Sequence, residues 1–211
     1  MINIVICDDH SMIRKGLRAL LSEAPDMTVQ GEASNYTEVR EVLRKVLCDV
    51  LLLDLNLPGR DGMEVLASVV QDHSNTKVLI LSMYPEEQYA LRSLNAGAYG
   101  YLSKMAQGES YLEAVRTVAK GTKYVSPLVS DLLVEHLQQP MKTEPHDSLS
   151  ARELEVFLKI AAGRSLSQIA EELVLSPKTV SVYRGRVLAK LHLVNNVALT
   201  TYAIQRRLIL F

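Results

Sequence analysis

Five side chains in the first half of the sequence have types and spacing suited to phosphoryl chemistry: Asp8, Asp9, Asp54, Ser82 and Lys104. Each stands at or just beyond the end of a short apolar run. Three carboxylates gathered in one place repel one another unless a cation lies between them. A hard divalent ion such as Mg²⁺ suits two or three carboxylates with carbonyls and waters. Lys104 would add a second positive charge. A cation, an ammonium and a hydroxyl around one carboxylate form a site arranged to accept a phosphoryl group, because the positive groups offset charge on the transferred oxygens. Taken singly, each aspartate reads as a helix cap or a loop acid. Their joint placement at two predicted strand ends, with Ser82 and Lys104 at two others, favours a shared site.

The elements that must hold these groups are short strands alternating with amphipathic helices. Strands are predicted at 2–7, 27–32, 50–53, 77–81 and 98–102, and helices near 11–22, 36–46, 63–71, 86–95 and 108–120. The runs Ile4-Val-Ile-Cys7 and Val50-Leu-Leu-Leu53 are apolar without alternation, as in strands covered on both faces of a parallel sheet. Such alternation predicts a doubly wound α/β domain, whose ligands sit beyond the carboxyl ends of the strands. Ser126-Pro127 opens one more helix, predicted over 127–137. The segment 138–147 holds two prolines and little apolar content, and reads as a linker. Beyond it the pattern is helical, near 150–162, 166–173, 177–191 and 195–207, with a capping box at Ser150-Ala-Arg-Glu153. The expected division is 1–122, a helix and linker over 123–147, and a second domain over 148–211.

Charge follows the same division. Residues 1–137 carry a net charge of −5 and residues 148–211 one of +5, within a whole-chain value of −1. An acidic front and a basic back predict different partners, nucleic acid being the candidate for the second. The composition excludes a disordered chain, and no apolar run is long enough to span a membrane. The first residues lack the basic start of a secretory signal. Cys7 and Cys48 sit in apolar runs and read as buried thiols of a reduced, cytoplasmic protein, and no Cys/His cluster has zinc spacing.

In the second half, Gln168–Leu173, a short turn and the stretch from Lys178 onward read as helix, turn and helix, which would let the second helix enter a major groove. Val180, Tyr183, Val187, Leu188 and Leu191 fall on one face of it. Lys178, Val182, Gly185 and Ala189 point away, with Ser181 and Arg186 at the margins. Small residues permit close approach to base edges, Ser bonds bases and Val touches a thymine methyl. Lys178, Arg186 and Lys190 are the candidates to reach phosphates. Arg184 falls beside the apolar face, and is expected either to pair with Glu153 or Glu172 or to extend outward. From charge alone, a helical bundle with a solvated basic face is an equal reading.

The motifs Asp8-Asp9-His10, Leu53-Asp54-Leu-Asn-Leu-Pro58-Gly59, Leu81-Ser82-Met83 and Gly100-Tyr-Leu-Ser-Lys104 resemble, in order, those of the receiver domain of bacterial two-component response regulators. The resemblance implies a flavodoxin-like five-stranded sheet. It implies Asp54 as phosphoacceptor, Asp8, Asp9, Asp54 and the carbonyl of Asn56 around Mg²⁺, Ser82 and Lys104 on the phosphoryl group, and Tyr101 as a rotamer switch. Met105 stands where many receivers carry proline. Leu149-Ser-Ala-Arg-Glu-Leu-Glu-Val156, Ile169-Ala-Glu-Glu-Leu173, Ser176-Pro-Lys-Thr-Val180 and Leu188-Ala-Lys-Leu191 resemble the LuxR-type helix-turn-helix, an all-α four-helix domain of NarL/FixJ-family regulators. Thr179-Val-Ser-Val-Tyr-Arg-Gly-Arg186 and Ala198-Leu-Thr-Thr-Tyr-Ala203 are similar to its GacA/UvrY branch. This resemblance implies DNA contacts from Lys178, Thr179, Ser181, Val182, Gly185, Arg186 and Lys190. It also implies homodimer formation through the last helix, where Val197, Thr200, Thr201, Ile204 and Leu208 offer either an interface or packing within the domain.

The expectation is thus a phosphorylation-controlled transcription regulator. It would take phosphoryl from a sensor histidine kinase and lose it by hydrolysis, without being an enzyme in its own right. A Mg²⁺-dependent phosphohydrolase working through an aspartyl-phosphate is the rival from another class. Such enzymes typically place a second aspartate two residues after the nucleophile, where this chain has Asn56. A third reading keeps the receiver but gives it a protein-binding output domain.

Overall fold

The computed structural model describes residues 1–58, 62–138, 144–206 and 208–209, except for the side chains of 87–88 and 135–138. Gly59 of the acidic-site motif and residues 139–143 of the predicted linker lie outside the described residues. The chain divides into two compact units, Met1–Met141 and Lys142–Phe211.

The first unit alternates β1 (Ile2–Cys7), α1 (Ser11–Ser22), β2 (Met27–Ala33), α2 (Tyr36–Lys45), β3 (Val50–Asp54), α3 (Gly62–Asp72), β4 (Lys77–Ser82), α4 (Glu86–Asn95), β5 (Gly100–Ser103) and α5 (Gly108–Ala119). The strands form one parallel sheet in the order β2-β1-β3-β4-β5. Ile4–Cys7 and Val50–Leu53 have no exposed surface, because helices cover both faces of these central strands. On one face Ile4, Ile6, Leu52, Leu79 and Leu81 pack with Leu17 and Leu21 of α1 and with Tyr111, Val115 and Val118 of α5. The opposite pleat meets α2 and α3.

Register brings the carboxyl ends of the strands to one edge. Cys7 stands opposite Leu53, Asp54 opposite Leu81, and Ser82 opposite Ser103. Gly62 lets α3 start hard against that edge. A Cβ there would sit 2.7 Å from the Asp54 carbonyl oxygen and collide with the Leu55 backbone. The fifth strand begins later than predicted. Ala98 N–H donates to Ser93 O at the end of α4 and Tyr99 N–H to Val78 O, so pairing proper starts at Gly100.

A sixth helix, α6 (Pro127–Gln138), packs on α4. Ser126 Oγ donates to Glu86 Oε2 at 2.5 Å and accepts from Val129 N–H, so one hydroxyl both caps α6 and ties it to the start of α4.

The second unit comprises α7 (Ala151–Ala161), α8 (Leu166–Glu172), α9 (Pro177–Lys190) and α10 (Asn196–Gln205). Ser150 and Glu153 form the predicted capping box, and Ser165, Ser176 and Asn195 cap the other three helices. The later part of the predicted linker is ordered. Pro145–Ser148 forms a 3₁₀ turn, anchored by His146 Nδ1 to Tyr202 Oη at 3.0 Å and by Arg206 to Glu144 at 2.7 Å. These partners come from α10 and its end, so local composition gave no sign of them.

The turn between α8 and α9 places Val174 at φ 54°, with 92% of its surface exposed. A β-branched residue in the left-handed region is strained by roughly 1–2 kcal/mol. Part of any gain from glycine is offset by the greater freedom of the unfolded chain. Val174→Gly is therefore expected to stabilise the second unit by about 1 kcal/mol. The check is a rise in its urea midpoint with an unchanged slope.

Candidate functional site

Five polar or charged residues are buried among the described residues: Asp8, Asp54, Ser82, Ser93 and Glu153. Asp8, Asp54 and Ser82 lie along the carboxyl edge of the sheet. Lys104, just past β5, reaches into this edge. Its Nζ lies 2.6 Å from Asp8 Oδ2 and 2.7 Å from Asp54 Oδ2. The remaining carboxylate oxygens are held by backbone donors. Asp54 Oδ1 accepts from Asn56 N–H at 3.1 Å, and Asp8 Oδ1 from His10 N–H at 2.8 Å. Arg14 Nη1 donates to the Asp8 carbonyl at 2.6 Å and Arg14 Nε to Glu32, which fixes the loop between β1 and α1.

Burial pushes the Asp54 carboxyl above its ordinary range; Lys104 and the Asn56 N–H oppose this, while the Asp8 charge adds to it. Burial alone would lower the Lys104 ammonium, but Asp54 and Asp8 outweigh it and hold it above its usual value. The ammonium is therefore a fixed positive charge between two carboxylates. Carboxylate oxygens of Asp8, Asp9 and Asp54 and a ring nitrogen of His10 all lie within 4.8 Å of one another. This oxygen-rich set, with two carboxylates buried and only one ammonium against them, fits a hard divalent cation.

Ser82 Oγ accepts from Tyr84 N–H, and Ser82 O accepts from Lys104 N–H at 2.9 Å, so β4 and the Lys104 loop are bonded together at the site. Tyr101 is 1% exposed and its hydroxyl donates to Tyr84 O at 2.9 Å. The ring is thus turned inward and bonded to the same loop that follows Ser82. Among the described residues no peptide bond is cis, so Lys104–Met105 is trans. Both cysteines are free. Burial raises the Cys7 thiol above its usual range, with Asp54 and Asp8 adding to it, and pushes Cys48 up to about 12. Neither has reactive character.

In the second unit α9 presents Lys178, Ser181, Val182, Gly185, Arg186 and Ala189 to solvent, while Val180 and Val187 are buried. Nothing lies within 4 Å of where a Gly185 Cβ would stand. Thr179 is half-buried and its hydroxyl bonds Ser176 Oγ at 2.8 Å, so it serves the start of the helix. One expectation changes, and one left open is narrowed. Lys190 does not extend outward: its Nζ is 2.6 Å from Glu153 Oε2 and donates to Ser148 O at 3.1 Å. Seven residues after Tyr183, it stands beside the apolar face, and its long stem reaches back to α7. Arg184 pairs with neither glutamate. Its Nε donates to Asn196 Oδ1 at 2.5 Å, while Glu172 is taken by Lys159 and Arg164.

The helix α10 buries Leu199 and Ala203 and contacts α7. Val197, Thr201 and Ile204 remain exposed, and Thr200 and Leu208 are half-buried.

Residues 4–116 match the family model of the response regulator receiver domain, and residues 147–203 that of bacterial regulatory proteins of the luxR family. The chain belongs to the bacterial response regulators. Within this family it is similar to the response regulator UvrY of Escherichia coli strain K12, 36% identical over 99% of this chain and 96% of that protein. It is likewise similar to the response regulator GacA of Pseudomonas protegens, 34% identical over 99% and 98%. Among solved structures, RcsB of Salmonella enterica serovar Typhimurium bound to a promoter with the phosphomimetic BeF₃⁻ aligns with a TM-score of 0.60, 27% identity and 95% and 97% coverage. Another, of two RcsB dimers bound to two parallel DNAs, aligns with a TM-score of 0.61, 27% identity and 96% and 98% coverage. As a response regulator of the NarL type, the chain couples a receiver to a LuxR-type DNA-binding domain, and phosphorylation controls DNA binding and transcription.

Several groups of this response regulator carry no sequence signal of their own. The pairing of Glu153 with Lys190 spans 37 residues, and that of Ser126 with Glu86 spans 40. His10, by contrast, has a signal in the Asp8-Asp9-His10 run, and its Nδ1 lies 2.6 Å from Asp9 Oδ1. No helix among the described residues is long and apolar enough to cross a membrane.

Proposed function

We propose that Asp54 is the phosphoacceptor and that a sensor histidine kinase is the donor. A carboxylate oxygen of Asp54 attacks phosphorus as the bond to the kinase histidine breaks. The observation that carries this reading is the Lys104 ammonium held between Asp8 and Asp54 at 2.6 and 2.7 Å, a positive charge already in place where negative charge develops. Ser82, at the adjoining strand end, bonds a phosphoryl oxygen. Asp8, Asp9, Asp54 and the carbonyl of Asn56 would hold Mg²⁺. When bound, this ion neutralises charge on the transferred oxygens. Phosphoryl oxygens then compete for Lys104 and Ser82, and Tyr101 follows, exchanging its bond to Tyr84 O for a position that reshapes the α4–β5 surface. The phosphoryl group is lost again by hydrolysis, and the protein is a regulator with no other turnover.

The receiver comprises 1–122, a helix and linker 123–147, and the DNA-binding domain 148–211. α9 enters the major groove, with Ser181, Val182 and Gly185 on bases and Lys178 and Arg186 on phosphates. The exposed Val197, Thr201 and Ile204 of α10 form the contact of a homodimer on two half-sites. The protein acts in the cytoplasm on double-stranded promoter DNA. Selection of genomic fragments by the phosphorylated full chain tests the reading. Enrichment of a shared paired motif supports it, and retention of no DNA at low salt overturns it.

Roles within α9 separate by salt. Lys178→Ala is expected to weaken binding to specific and random duplexes alike and to reduce the logarithmic salt slope by about 0.9. Val182→Ala is expected to leave that slope unchanged and to cost about 1 kcal/mol, or roughly fivefold, on the preferred site alone. Fluorescence anisotropy over a range of salt distinguishes the two. Identical behaviour of both variants on random DNA would reverse the assignment.

A further inference from the structure

We infer that His10 is a further ligand of the acidic site and makes it bind later divalent transition ions, Zn²⁺ among them, in preference to Mg²⁺. The inference rests on the reading of Asp8, Asp9 and Asp54 as a cation site, and adds a donor of a different chemical kind.

Three observations carry it. The His10 ring nitrogen belongs to the same cluster as the three carboxylates, every pair of donor atoms lying within 4.8 Å. Donors around a tetrahedral transition ion stand about 3.3 Å apart, so closure asks for shifts of up to about 1.5 Å. The ring is already held toward the cluster: its Nδ1 lies 2.6 Å from Asp9 Oδ1 and 3.4 Å from Asp8 Oδ1. Its backbone N–H, bonded to Asp8 Oδ1 at 2.8 Å, fixes the main chain that carries it. Finally, the His10 side chain is 58% exposed and Asp9 32%, so the two stand at the rim, where an incoming ion meets them before the buried pair.

Donor chemistry sets the preference. Mg²⁺ takes oxygen ligands and gives up water reluctantly, so an imidazole adds little for it. Zn²⁺ and its neighbours accept imidazole nitrogen and carboxylate together. On binding, the ion would take the Nδ1 lone pair: a proton on Nδ1 passes to solvent, and a ring left without one on Nε2 takes one there. The carboxylate oxygens freed from Nδ1 turn to the ion. Lys104, which occupies Oδ2 of both Asp8 and Asp54, leaves the rim donors available.

The test uses the full unphosphorylated chain, stripped of metal by a chelator, in calorimetric titrations with Zn²⁺ and with Mg²⁺ at one fixed pH. Zn²⁺ is expected to bind more tightly than Mg²⁺. His10→Ala is expected to lower Zn²⁺ affinity about tenfold or more and to leave Mg²⁺ affinity within about twofold. A long-range ¹H–¹⁵N spectrum of the wild-type imidazoles provides a readout independent of the variant: the His10 Nδ1 resonance should move on addition of Zn²⁺ and stay in place with Mg²⁺. Unchanged Zn²⁺ affinity in His10→Ala, or a resonance that does not move, overturns the inference while leaving the cation site standing. Equal losses for both ions overturn it too, since His10 would then act only by holding Asp9. A wild-type chain that binds neither ion brings down the site reading itself.

Discussion

Asp54→Asn is expected to abolish labelling of the protein by acetyl phosphate and, with it, any gain in DNA affinity on treatment with that donor. The amide is nearly isosteric but offers no anionic oxygen to attack phosphorus, so the loss should be complete within detection. The fold should survive. Burial and the neighbouring Asp8 raise the Asp54 carboxyl, so folding makes its ionised form costlier than it is in the unfolded chain. A neutral amide removes that cost, and Lys104 keeps Asp8 as partner at 2.6 Å. The variant is therefore expected to unfold at the same temperature as wild type or a higher one. Intact-mass measurement after acetyl phosphate treatment, alongside a thermal melt, separates lost chemistry from lost structure. A phosphorylated Asp54→Asn protein would move the acceptor to Asp8 or Asp9.

The edge on which Asp8, Asp54 and Lys104 meet was legible because parallel strands leave a strong trace. Ile4–Cys7 and Val50–Leu53 are continuous apolar runs only because both faces are covered, and in a parallel sheet every carboxyl end faces one way. The helix starts were legible for a similar local reason: Ser150, Ser165, Ser176 and Asn195 each satisfy an amide three residues on. What the sequence hid depends on distant partners. The 3₁₀ turn at Pro145–Ser148 is secured by Tyr202 and Arg206, over fifty residues later. Lys190, seven residues after Tyr183, stands beside the apolar face of α9, and its four-carbon stem reaches back to Glu153 of α7. Arg184, open between two glutamates and an outward course, bonds the Asn196 amide beyond the αL turn at His192, a partner no local pattern announces.

The Glu153–Lys190 pair should make the stability of the second unit depend on acid, and a variant at either partner should change that dependence. Glu153 is 3% exposed and accepts from Ser150 N–H and Lys190 Nζ, so it closes the α7 capping box and fastens the end of α9 at once. Burial pushes its carboxyl up, but the Lys190 and Ser150 bonds outweigh burial and hold it below its ordinary 4.5. A carboxyl lowered by folding contributes stability above its unfolded pKa and loses it as pH falls through the folded value. The second unit of the wild-type protein should therefore weaken progressively below pH 4.5. Lys190→Ala removes the strongest bond opposing burial, so the folded carboxyl moves up from its lowered position. The variant should then lose about 1–2 kcal/mol at neutral pH and show a shallower loss on acidification than wild type. Glu153→Gln, with no group to titrate, should show no slope from this site. Urea denaturation of the full chain, followed through backbone amide resonances of α7 and α9 between pH 3 and 7, measures all three. The same Lys190→Ala protein also decides where that ammonium acts. With Nζ committed to Glu153 and Ser148, its removal should leave the salt slope of DNA binding unchanged, whereas a lysine on a phosphate would reduce it by about 0.9.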